Sequence, residues 1–159
     1  MQHSNDISEI KENDISALKD LVTTLEDGRE GFNTVAESLD ESGHGQLAGR
    51  MRDFAAERGR LSAELRQYAA KLGEEIEPKG SAVGALHRGW ISVKDALTGD
   101  DAHAILSAAE EGEDHAVKAY EEVLEDDEIS PALRTLVTSQ ATVVRNAHDA
   151  VRDMRDSLS

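Results

Sequence analysis

Between Glu111 and Tyr120 the chain reads EGEDHAVKAY, three carboxylates and a histidine closed by a tyrosine seven positions after Glu113. Carboxylate oxygen and imidazole nitrogen are ligands for divalent metals. The E-x-x-A-x-x-x-Y spacing of Glu113, Ala116 and Tyr120 puts a carboxylate two helical turns before an inward aromatic. Gly112 leaves room beside it, and His115 lies toward the other edge of the stripe. A carboxylate-bridged di-metal centre in a helical bundle takes one Glu from each of two helices and Glu-x-x-His from each of the other two. Such a centre needs those partners from the remaining segments.

They do not supply them. Seven residues before Phe32 stands Leu25, with Gly28 between; Glu26 is one step around the helix. In AERGRLSAEL, Glu57 is followed at +3 by Arg60, and the inward position is Arg58, between Phe54 and Leu61. A guanidinium there repels cations and does not deprotonate. Further on, Gln140 stands where a Glu is wanted, with Val143 at +3, and His148 has Arg145 at −3. Only Glu113 of the expected set is in place. The favoured reading thus has no cofactor and no catalytic residue. The alternative is an atypical centre for iron or another divalent metal on Glu57, Glu113, His115 and His148.

Arg29, Arg58, Glu113 and Gln140 fall on or beside inward faces near mid-bundle. A buried charge is costly unless paired and hydrogen-bonded. Either Arg58, with or without Arg29, bonds Glu113 and Gln140 across the core, or the arginines snorkel to the rim and bury only their stems. His87 and Trp90 in LHRGW share one side of a short helix, which packs them over the bundle or offers them to a ligand or partner. His44 sits exposed in a glycine-flanked turn. The acidic run EEVLEDDE, Glu121 to Glu128, lacks the order of a calcium loop and reads as a solvated helix end. No glycine-rich phosphate loop, G-x-S-x-G or H-E-x-x-H occurs.

The elements that must position these residues follow from apolar spacing. Four long helices are expected, at about 14–40, 46–72, 101–125 and 131–157. Residues 1–13 form a frayed N-terminal segment, and Asn13 or Asp14 caps the first helix. SGHG (42–45) makes a tight turn, Gly73 ends the second helix, and Ser130-Pro131 is an N-cap and N1 pair. Helices of ~25 residues are each ~38 Å long, and their narrow apolar stripes are satisfied by a four-helix bundle. Short first and third connections make two antiparallel hairpins. The crossover, 73–100, contains a short extra helix and is long enough to traverse the bundle, the one-crossover topology of ferritin-like folds.

The formal net charge of −16 over 159 residues disfavours nucleic acid and anionic lipid as partners. No run approaches the ~20 apolar residues of a membrane span, and the first residues carry no apolar core of a secretory signal. With no cysteine, thiolate chemistry and disulfides are excluded. A cytoplasmic location is the default.

DGREGF (27–32), Glu57 and Arg58 with Glu64 and Leu65, GSAVGALHRGW, TGDD, EEGEDHAVKAY and NAHD (146–149) occur in this order. Together they make the chain resemble the bacterial ferritin-like four-helix-bundle proteins catalogued as a domain of unknown function, over roughly Ile15 to Met154. The resemblance implies an all-α ferritin-like bundle, an uncharacterised biochemical role and a link to stress response; self-association, with a dimer favoured, and an unidentified protein partner are further expectations. It brings no accepted catalytic residues. Against the ferritins proper, Leu25, Arg58, Gln140 and Val143 depart from the ligand pattern. The expectation is a non-catalytic, stress-associated structural or interaction protein with a degenerate di-metal site.

Overall fold

The computed structural model describes the backbone of residues 2–78 and 101–158 and the side chains of residues 9–78 and 101–158. Those residues form four helices and no strand: α1 (Gln2–Glu41), α2 (Gly45–Lys71), α3 (Ala102–Glu125) and α4 (Pro131–Asp156). The architecture is the all-α, ferritin-like bundle. The short extra helix of the crossover, with His87 and Trp90, lies outside the described residues.

α1 starts at Gln2, so residues 2–13 are helix rather than a frayed segment. No glycine or proline precedes Gly28 to interrupt the backbone. Neither Asn13 nor Asp14 acts as the cap. Asn13 donates to Glu128 at 3.1 Å, and the Asp14 carboxylate accepts from the backbone N–H of Ser130 at 2.8 Å. Long-range partners draw both side chains away from the local role that their types suggest.

The helix ends follow local chemistry closely. Gly43 and Gly73 take positive φ, +83° and +84°, where a side chain would be strained. After α1, the N–H of His44 reaches the Leu39 carbonyl and that of Gly43 reaches Asp40, the two bonds of a Schellman ending. The end of α2 repeats this through Glu74 to Ala69 and Gly73 to Ala70. Asp101 caps α3 through the His103 N–H, and Ser130 caps α4 through the Leu133 N–H at 3.2 Å with Pro131 following.

α1 packs against α2 and against α3, and α3 against α4. Two apolar clusters fill the bundle. One holds Leu18, Leu21, Leu25, Leu61, Leu65, Tyr120, Val137 and Val144; the other holds Phe32, Leu39, Met51, Ala55, Ile105, Ala109 and Val151. Along α2 the changeover falls between Ala55 and Leu61, and along α3 between Ala109 and Ala116. The buried residues at those two changeovers include Arg58 and Glu113.

Candidate functional site

Arg58 is fully buried and among the largest side chains withdrawn from water. On the helical stripe of α2 its position is inward, between Ala55 and Leu61, so the guanidinium has no route to the surface. It meets Glu113 of α3, also 0% exposed, in a two-pronged ion pair. Nη1 donates to Oε2 at 2.8 Å, and Nη2 donates to Oε1. This is the fork geometry that suits guanidinium to carboxylate.

The surroundings are shaped for the arginine. A Cβ on Gly28 of α1 would stand 3.1 Å from Arg58 Nη1, so the hydrogen side chain there lets the guanidinium lie close to the α1 backbone. The Arg58 guanidinium carbon stands 5.3 Å from the centre of the Phe32 ring, a cation–π distance. Burial pushes the Glu113 carboxyl above its ordinary range. The charge and hydrogen bonds of Arg58 act against that push, as does His148 from farther off, while Glu57 adds to it.

Gln140 is inward and buried, but it bonds other partners. Its Oε1 accepts from the Tyr120 hydroxyl at 2.8 Å; its Nε2 donates to the Leu61 carbonyl at 3.1 Å and to Glu64 at 2.9 Å. Burial raises the Tyr120 phenol well above its usual range. Arg29 is half-exposed, with Nε on Glu26 at 2.8 Å. The expected four-residue network is therefore divided. Arg58 and Glu113 form the buried pair, Gln140 joins Tyr120 two turns further along α3, and Arg29 stays at the rim as a snorkelling arginine would.

The alternative ligand set is dispersed. Both Glu113 oxygens are engaged by Arg58. Glu57 is half-buried. His115 is exposed, beside an open groove of about 670 Å³ between α1 and α3 that Asp20, Asp27, Glu122 and Asp126 also line. His148 lies instead among Glu110, Asp114 and Asp149. The hydrogen bond from His148 holds the exposed Asp149 carboxyl below its ordinary range. Glu110 and Asp114 are absent from the Glu-x-x-His pattern. Their signal was the one-turn step on α3 opposite His148 in the α3–α4 hairpin.

The family model described as "Domain of unknown function (DUF2383)" matches residues 13–126. Among solved structures, a Dps1 mutant from Mycobacterium smegmatis is similar, with a TM-score of 0.79 at 15% sequence identity. The match covers 91% of this chain and 96% of that one. At that identity the likeness speaks to the fold alone. No curated protein matches the chain.

Proposed function

The chain belongs to the family described as Domain of unknown function (DUF2383), and on that premise we propose that it is a non-catalytic ferritin-like structural or interaction protein whose di-metal site is degenerate. One observation carries the reading: a guanidinium occupies both oxygens of Glu113 in the dry centre of the bundle. A divalent cation bound there would have to displace a permanently charged group that has no exit to water. Around that pair, Leu25 is apolar and Gln140 is committed to Tyr120, so no second carboxylate converges on Glu113 from those positions. The ion pair thus serves in place of a metal as the charge that closes the core.

Stress association enters this reading through the family resemblance, and a cytoplasmic location and self-association as a dimer are part of the same proposal. The competing reading, iron binding or oxidation by Glu57, Glu113, His115 and His148, requires Arg58 to leave Glu113.

The test is ferrous iron added under air to protein purified without tag or chelator, with ferric product followed optically. We expect oxidation at the rate of buffer alone. A faster rate that falls in Glu113→Gln would overturn the proposal and make Glu113 a metal ligand.

A further inference from the structure

A second constellation sits on α3 and α4, away from the paired core residues. Glu110 and Asp114 stand one helical turn apart on α3, and both face His148 of α4. Asp114 Oδ1 is 2.6 Å from His148 Nε2, and Glu110 Oε1 is 3.8 Å from it. One ligand atom from each of the three residues lies within 4.8 Å of the others. The side chains of His148 and Glu110 are only 14% and 15% exposed, whereas that of Asp114 is 63% exposed. Two donors are thus held by packing, and the third is free to swing.

The far side of the imidazole is also occupied. His148 Nδ1 lies 3.1 Å from Asp149 Oδ1. In the tautomer that donates Nδ1–H to Asp149, the lone pair of Nε2 is turned outward as a metal ligand. That lone pair then faces two carboxylate oxygens. Either a proton on Nε2, donated to Asp114 at 2.6 Å, or a bound cation satisfies the carboxylates gathered there. Arg155 Nη1 takes the other oxygen of Glu110, Oε2, which leaves Oε1 for the site and holds the carboxylate in place. Arg152 lies 3.4 Å from Asp149 and steadies the outer partner.

We propose that Glu110, Asp114 and His148 form a binding site for a first-row divalent cation, with Asp149 and Arg155 as positioning residues. A tetrahedral zinc ion with bonds of ~2.0–2.2 Å separates its ligand atoms by about 3.3 Å. The two Nε2-to-oxygen distances bracket that value, so a small swing of Asp114 outward and of Glu110 inward admits the ion. One imidazole nitrogen with two carboxylate oxygens suits zinc, manganese or ferrous iron, whereas calcium and magnesium take oxygen ligands. Three protein ligands leave a position open for water or for a group from a partner. Glu113 contributes nothing here, so the site stands whether or not the core is degenerate.

Calorimetric titration of zinc into chelator-stripped full-length protein tests the site. One zinc per chain is expected, with binding weakened roughly tenfold or more in His148→Ala and in Asp114→Asn. His115→Ala, which removes an exposed histidine of the neighbouring groove, should leave binding unchanged. Asp114→Asn alters an exposed side chain, so it keeps the test decisive if His148→Ala unfolds. Absence of zinc binding by the wild type would overturn the proposal. So would binding of equal strength in Asp114→Asn, which would mark general attraction to an acidic surface.

Discussion

Arg58 is buried away from water, so its cost is offset chiefly by Glu113, with the Phe32 ring beside the guanidinium. Removing the carboxylate leaves a buried, uncompensated cation. Glu113→Ala is expected to destabilise the fold by about 3–5 kcal/mol in urea denaturation, and Arg58→Met to destabilise it too. The double variant Arg58→Met with Glu113→Leu should be much less destabilised than either single change, because neither charge is left behind. Single-variant losses below about 1 kcal/mol, the size typical of an exposed pair, would contradict the burial of the pair. Tyr120 gives a pH signature at the same scale. Its phenol is raised in the folded chain by burial, so the unfolded chain releases its proton first, near ~10. Stability tied to Tyr120 is therefore present below that pH and lost as pH climbs above it. In a Tyr68→Phe background, phenolate absorbance should stay absent until the protein unfolds. Its appearance while helical circular dichroism is intact would refute the buried placement.

Among the helices, Asp14 does more than its position suggests. Its two oxygens accept from the backbone N–H and the hydroxyl of Ser130, at 2.8 and 2.6 Å. That same hydroxyl caps α4 at Leu133 and lies 3.2 Å from the Tyr68 hydroxyl. One carboxylate on α1 thereby fastens the start of α4 and the end of α2. Hydrogen bonds to a charged group and loss of a cap each count for about 1–3 kcal/mol. Asp14→Ala should therefore cost roughly 2 kcal/mol and accelerate amide exchange in the first turn of α4. Unchanged exchange there would show that Ser130 holds the cap unaided. The glycines at 43 and 73 act at this scale as well, since both helix endings depend on positive φ.

Over the whole molecule the formal charge of −16 is the largest electrostatic fact. Surface pairs such as Arg145 with Glu121, both about half exposed, offset little of it. Self-repulsion of the excess carboxylates works against the compact state and is screened by salt. The melting temperature should rise as sodium chloride increases from low ionic strength to about 0.5 M, followed by scanning calorimetry. A falling melting temperature would mean that the surface ion pairs outweigh the repulsion. No helix among the described residues is long and apolar enough to cross a membrane.

What the sequence determined by itself was local or periodic. Apolar spacing, Ser130-Pro131 and the two turn glycines specify where helices lie and how they end, because these depend on residues within a turn or two. The same periodicity marked Arg58, Glu113 and Gln140 as inward, and all three are buried. Which inward group meets which was decided only by tertiary structure. Gln140 stands level with Tyr120 and the Leu61 carbonyl, so its amide is satisfied without Arg58. Arg29 lies at the edge of its stripe, where water and Glu26 compete better than a crowded core. α1 runs on to Gln2 although Asn13 and Asp14 look like caps, since Glu128 and Ser130 claim their side chains from more than a hundred positions away. Glu110, Asp114 and His148 converge through the register of the α3–α4 hairpin, and no pattern confined to one helix contains that register. Helical period is a property of neighbours in the chain, whereas the pairing of buried charges depends on helix register, depth and side-chain reach, which exist only once the helices have packed.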